Sequence, residues 1–442
     1  MTMQTVLSDI GSINDKYVMF NRFTEDSDPG DSKFLFSAKD NLTSKDFETC
    51  CGSRILEGYH PVFDATAIAK MRNAGGKLIG KTNMDEFGFG TFSANSGFGI
   101  PRNPFDLERA CGGSSGGSAC AAAVIEDHVS LGVSTGGSIC CPASFCGVYG
   151  IAPTYGRVSR YGLIDYGNSL DKIGLLSAKA SDLTRYLPVI SGRDERDPTS
   201  CVQPELEIKG DRIRSVAVPK EAAEGLSKDV SEAFLNSLET LKGMGIDVEY
   251  VDMPALKYAM PAYYVLATSE ASTNLARYVG MRYGHQDGDL SLKFDDYFTY
   301  FRSKYFGDEA KRRILLGTYT RMAGFRDRYY AKALKVRMYV IDAYKQILKD
   351  HDAVLAPTMP FVAPRFDDIS KMTPVESYKA DYLTVPANLA GTPHLSVPCG
   401  YNADGMPIGM QFVADHWNED RLLTMANEWD KAFDVRKAEV SL

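Results

Sequence analysis

The run CGGSSGGSAC at 111–120, followed by LGVSTGGSIC at 131–140, places two serine-bearing glycine loops one short βαβ-sized step apart. Glycine tolerates positive φ and carries no Cβ, so loops of this kind bring backbone N–H groups close to a ligand. A serine held in such a loop is a candidate nucleophile. Upstream, Phe34, Leu35 and Phe36 give a short buried-strand signal that runs into Ala38-Lys39-Asp40-Asn41. Lys39 therefore sits at the mouth of an apolar strand.

The surrounding chain has an α/β rhythm. Asp64 reads as the N-cap of a helix with Ile68 and Met71 on one face, stopped by Gly75-Gly76 before the strand Lys77-Leu78-Ile79. Ser227 caps a second helix with Val230, Phe234, Leu238 and Leu241 inward; Gly243 ends it, and Ile246, Val248 and Tyr250 alternate as the next strand. Residues 257–348 are mostly helical in pattern, and AVLA (353–356) and LSV (395–397) read as buried strands. Asp404-Gly405 suits a hairpin turn, and an amphipathic helix is expected over 419–432. Residues 1–32 are polar, end in EDSDPGDS, and have the composition of a mobile lead-in. With no repeat and no clear linker after them, 33–442 is expected to be one domain.

Composition narrows the function classes. The chain has 442 residues, 44% hydrophobic and 24% charged, as expected of a globular enzyme, and a formal charge of −8 argues against a broad basic surface for nucleic acid. Nine cysteines with no C-x-x-C pair, and a start without an apolar signal segment, favour a reducing cytoplasm. The cluster Cys140, Cys141 and Cys146 lacks nearby histidines and no H-E-x-x-H occurs, so no metal site is expected. No apolar stretch reaches the roughly 20 residues needed to cross a bilayer, and a soluble protein is expected.

Three readings of the glycine loops compete. A literal G-x-S-x-G at Gly113–Gly117 centres on Ser115, but the preceding DLERAC is no hydrophobic strand and nothing marks His394 or His416 as a partner. A Walker loop fails because no Lys-Ser or Lys-Thr follows the glycines. Each loop alone also fits a plain Gly-Ser turn. The combination of AKDN at 38–41 with Ser114 and Ser138 is more specific, and it resembles the amidase signature family. The stretch 36–90, the two loops, and FCGVYGIAPTYGRVSRYGLIDYGNSLDKIG (145–174) are similar to the A subunits of tRNA-dependent amidotransferases within that family. The similarity resumes in EASTNLARYVGMRYG (270–284), KRRILLGTYT (311–320), YYAKALKVR (329–337) and TVPANLAGTPHLSVPCG (384–400).

The resemblance implies an α/β fold: a single amidase signature domain with a central mixed sheet covered by helices on both faces. It implies Ser138 as nucleophile, Ser114 as a bridging serine after a cis peptide, and Lys39 as general base. A free lysine, with a pKa of about 10.4, is charged at neutral pH, but desolvation beside Phe34, Leu35 and Phe36 would favour the neutral amine. The N–H groups of Thr135, Gly136, Gly137 and Ser138 would form an oxyanion hole, each donor being worth about 3 kcal/mol in a transition state. Arg313 and Asp381 would grip the α-carboxylate and α-ammonium of glutamine, with Tyr263 nearby. Arg312 and Tyr264 remain alternatives to Arg313 and Tyr263.

The implied activity is glutamine hydrolysis that supplies ammonia to a B subunit, which amidates Glu-tRNA(Gln) or Asp-tRNA(Asn), while a small C subunit wraps the interface. ATP and Mg2+ would belong to that partner, and this chain would hold no cofactor. A free-standing amidase and a catalytically weak scaffold are the other readings. Two departures bear on them. The family commonly has an acid and a base where Ser134 and Cys140 stand, and the segment before Lys39 is shorter than usual. Losing both charges together strands neither in the interior.

Overall fold

The computed structural model describes residues 2–200 and 202–438. Eleven strands form one mixed sheet: β1 (Phe20–Phe23), β2 (Phe34–Lys39), β3 (Gly76–Thr82), β6 (His128–Ser134), β7 (Tyr149–Ala152), β8 (Lys172–Ser177), β9 (Ser215–Pro219), β10 (Asp247–Val251), β11 (Ala353–Pro357), β12 (His394–Tyr401) and β13 (Pro407–Val413). Their spatial order is β1-β3-β2-β6-β8-β7-β12-β13-β11-β9-β10, and β4 (Arg102–Asn103) with β5 (Asp106–Ala110) makes a separate ribbon. The pairs β2/β3, β2/β6, β9/β10 and β9/β11 are parallel, whereas β6/β8, β7/β8, β12/β7 and β12/β13 are antiparallel.

Both faces are covered, and the strands are apolar on both sides as a result. Phe34, Phe36, Leu175, Leu355 and Phe412 pack against the helices Thr66–Asn73, Ala180–Ile190, Lys228–Gly243 and Glu419–Ala432. On the other face, Leu35 and Leu176 meet the helices Met3–Tyr17, Gly116–Val124 and Cys140–Phe145, and Val354 and Val413 meet Leu256–Asn274 and its neighbours. Burial of this kind contributes about 25 cal/mol per Å² of apolar surface, the main favourable term in folding. No helix among the described residues is long and apolar enough to cross a membrane.

The expected helix over 419–432, the strands at 353–356 and 395–397, and the Asp404-Gly405 turn between β12 and β13 are all present. Ser227 caps its helix, accepting from the Val230 N–H at 3.5 Å. Three local expectations are corrected. Asp64 does not cap the helix Thr66–Asn73: its carboxylate accepts from the Lys45 N–H and pairs with Arg72, while Thr43 and Tyr161 carbonyls take the Ala65 and Thr66 N–H groups. Gly243 is still helical, and Gly245 at φ +81° takes the left-handed position beyond the helix end. The lead-in is not loose coil. Val6, Leu7, Ile10, Ile13 and Tyr17 recur at helical spacing and bury one face of Met3–Tyr17 against the sheet, a period that the polar average over 1–32 conceals.

Candidate active site

Strand β2 ends on Lys39, whose side chain is 1% exposed. Its Nζ donates to Ser114 Oγ at 2.7 Å and to the Val133 carbonyl at 3.0 Å. Burial pushes the Lys39 amine down to about 7, with the nearby Asp85 and Asp171 acting in the opposite direction. Side chains alternate along a strand, so of the three expected apolar neighbours Phe34 and Phe36 lie in the core on the opposite face from Leu35, and the polar contacts of the buried Lys39 amine are to Ser114 in the first glycine loop and to Val133 on β6.

The Gly113–Ser114 peptide is cis. A Cβ at Gly113 would lie 2.3 Å from Asp85 Oδ2, which explains why glycine occupies this position. Asp85 itself accepts from the N–H groups of Ser93 and Asn95, both at 2.9 Å. Ser115, the centre of the literal G-x-S-x-G, donates its hydroxyl to the Val133 carbonyl at 3.1 Å and is fully buried against β6.

Ser138 lies on the connection from β6 to the helix Cys140–Phe145 and is 7% exposed, more than Lys39 or Ser114. Among the described residues its hydroxyl has no hydrogen-bond partner, so the contact from Ser114 to Lys39 is formed and the one from Ser138 to Ser114 is not. The N–H groups of Thr135, Gly136, Gly137 and Ser138 donate to no described residue, although the carbonyls of Ser134, Thr135, Gly136 and Gly137 are all engaged. Four adjacent free donors beside a free hydroxyl form a place for developing negative charge. Tyr263 and Thr384 press on this loop. A Cβ at Gly136 would lie 2.9 Å from the Tyr263 ring, and one at Gly137 2.2 Å from Thr384 Oγ1.

Arg313 is buried and Arg312 points outward, with 41% of its side chain exposed. The Arg313 guanidinium donates to Tyr166 Oη at 2.6 Å and Glu309 Oε1 at 2.8 Å, amid the rings of Phe89, Tyr166, Tyr264 and Tyr378. Asp381 accepts from Thr91 Oγ1 at 3.0 Å and from the Tyr264 hydroxyl at 2.9 Å, and burial raises it to about 6. The alternatives therefore divide. Tyr264 touches Asp381, and Tyr263 touches the nucleophile loop.

Several contributing residues were not singled out from the sequence. Asp171, immediately before β8, the strand next to β6, accepts from Thr135 Oγ1 at 2.7 Å and from the Tyr166 and Gly167 N–H groups. Asn388, in the helix Val385–Ala390, donates to the carbonyls of Ser134, Thr135 and Leu170. Asp85, Tyr166 and Glu309 complete the set. The signal for Asp171 and Asn388 was their place in the quoted stretches 145–174 and 384–400. Cys140, Cys141 and Cys146 are buried free thiols.

The amidase family model matches residues 34–423. The A subunit of the glutamyl-tRNA(Gln) amidotransferase of Methanospirillum hungatei JF-1 is 44% identical over 398 residues, covering 89% of this chain and 91% of the relative. Its namesake from Archaeoglobus fulgidus is 46% identical over 387 residues, covering 88% and 83%. The crystal structure of the namesake from Thermotoga maritima has a TM-score of 0.84 at 36% identity, over 99% of this chain and 94% of that one. A 6-aminohexanoate cyclic dimer hydrolase, at 24% identity and a TM-score of 0.84, shares the fold.

Proposed function

The chain belongs to the amidase family, and on that footing we propose that it is the glutamine-hydrolysing A subunit of a tRNA-dependent amidotransferase. The observation that carries the mechanism is the buried Lys39–Ser114 contact beside the free N–H groups around Ser138. The neutral Lys39 amine takes the Ser114 proton as Ser114 takes the proton of Ser138. Ser138 Oγ then bonds to the side-chain amide carbon of glutamine, and the carbonyl oxygen becomes an oxyanion facing the N–H groups of Thr135, Gly136, Gly137 and Ser138. The C–N bond breaks, the proton returns along the relay to the leaving nitrogen, and ammonia departs. Water, activated by the same relay, hydrolyses the acyl-enzyme to glutamate.

Arg313 meets the α-carboxylate and Asp381 the α-ammonium, and Tyr263 closes the space between them and the loop. A planar guanidinium suits a carboxylate, and a carboxylate suits an ammonium. Ammonia passes to a B subunit that uses ATP and Mg2+ to activate the carboxyl group carried on tRNA, and a C subunit wraps the interface. The net charge of −8 agrees with tRNA lying on the partner.

The test is ammonia release from glutamine by the chain with and without its co-expressed partners, alongside Ser138→Ala. The reading expects activity that is lost by several orders of magnitude in the variant. Hydrolysis of neutral amides with no turnover of glutamine would refute it.

A further inference from the structure

A peptide group is planar and trans, so fixing a carbonyl fixes the direction of the N–H of the following residue, which lies on the opposite edge of the same plane. Each plane that supplies a free N–H at the nucleophile loop is held by its carbonyl edge. The Ser134 carbonyl accepts from Asn388 Nδ2 at 3.4 Å, and the Thr135 carbonyl accepts from the same amide. The Gly136 carbonyl accepts from the Ser134 hydroxyl at 3.0 Å, and the Gly137 carbonyl from the Cys141 N–H at 2.8 Å. The two side chains also meet, with Ser134 Oγ lying 3.4 Å from Asn388 Oδ1. Asn388 is anchored in turn by the Leu170 carbonyl at 2.9 Å, and both residues are at most 1% exposed.

We propose that Ser134 and Asn388 are a positioning pair that aims the oxyanion donors of this loop: Asn388 sets the N–H groups of Thr135 and Gly136, and Ser134 sets that of Gly137. The proposal rests on the reading of Ser138 as nucleophile. It gives Ser134 a role suited to its chemistry, since a hydroxyl donates to a carbonyl and an ionised carboxylate at the same place has no proton to donate. Neither residue touches the reacting atoms; both act through the backbone they hold.

The experiment compares Ser134→Ala and Ser134→Thr in the full-length protein, using two readouts. One is steady-state glutamine hydrolysis. The other is the rate at which a fluorophosphonate probe labels Ser138, which needs the nucleophile and the oxyanion donors but not glutamine recognition. Ser134→Ala is expected to lower kcat and the labelling rate by about tenfold to a hundredfold with KM for glutamine nearly unchanged, because misaimed donors weaken the transition state alone. Ser134→Thr, which retains the hydroxyl, is expected to restore most of both rates. Wild-type kcat and labelling in Ser134→Ala, a loss confined to KM, or an equal loss in Ser134→Thr would overturn the pair. Should Ser134→Ala fail to fold, Asn388→Asp keeps the shape, loses the donors and carries the same expectation. A wild-type chain that is labelled at Ser138 yet leaves glutamine intact refutes the glutaminase reading, and the labelling arm still decides on the pair.

Discussion

Lys39 and Ser114 meet at 2.7 Å across 75 residues of sequence, with both side chains 1% exposed. A buried amine that has no ion pair among the described residues and is held near neutrality by desolvation can work as a base where a surface lysine cannot.

The first prediction is a pH profile. Below about 7 Lys39 carries a proton and cannot accept another, so kcat for glutamine should rise with pH through a limb near that value. Asp381, raised to about 6, must ionise to hold an ammonium, so KM should improve as pH rises through that lower region. The same Lys39 shift makes stability rise with pH between about 7 and 10.5, where the unfolded chain still holds a proton that the folded chain has released. Denaturant melts of wild type and Lys39→Met across this window check the linkage. A kcat that is flat from acid to alkaline pH contradicts the base assignment.

Lys39→Ala should abolish glutamine hydrolysis while the assembled complex still amidates its tRNA from added ammonia, because the proposed relay serves ammonia production alone. Assays with glutamine and with ammonium salts as nitrogen donor separate the two. Loss of both activities in a folded complex would remove the division of labour.

Arg313 and Arg312 adjoin in sequence but differ in burial. Arg313→Lys is expected to raise KM for glutamine by roughly tenfold to a hundredfold, the size of a charge-assisted hydrogen bond of about 1.5–3 kcal/mol. Arg312→Ala should leave KM near the wild-type value, since the Arg312 side chain is 41% exposed and Glu309 keeps its bond to Arg313 without it. Equal effects of the two changes would move the substrate site elsewhere.

Gly137→Ala would place a methyl group 2.2 Å from Thr384 Oγ1. Overpacking of this kind costs about 1–3 kcal/mol, and Thr384→Ala in the same chain should return part of it. Thermal melts of the two single variants and the double variant measure the coupling; strictly additive effects would mean that the loop and Thr384 are not in register.

The sequence carried the catalytic side chains more openly than it did their supports. Lys39, Ser114 and Ser138 stand out because glycine flanks the serines and an apolar strand precedes the lysine. The structure brings Lys39 into contact with Ser114 and sets Ser138 among free N–H groups. Asp171 and Asn388 left no comparable mark. They bond to a hydroxyl and to carbonyls 36 and more than 200 residues away, and such contacts have no local sequence period. Asp64 misled because its fit to a cap was judged without the long-range partners that claim its carboxylate. The helix Met3–Tyr17 was hidden by averaging over a polar segment, although Val6, Leu7, Ile10, Ile13 and Tyr17 form one buried face of the helix.

The bond from Asn388 to the Thr135 carbonyl also sets an order of assembly. Synthesis delivers Lys39, Ser114 and Ser138 within the first third of the chain, but the amide that holds the loop emerges some 250 residues later. A nascent chain ending before Val385 would carry every proposed catalytic side chain and still lack the aim of its oxyanion donors. On the proposed mechanism, hydrolytic competence thus depends on residues from the last part of the chain, and a polypeptide truncated before Val385 is expected to turn over glutamine poorly even with its catalytic side chains in place.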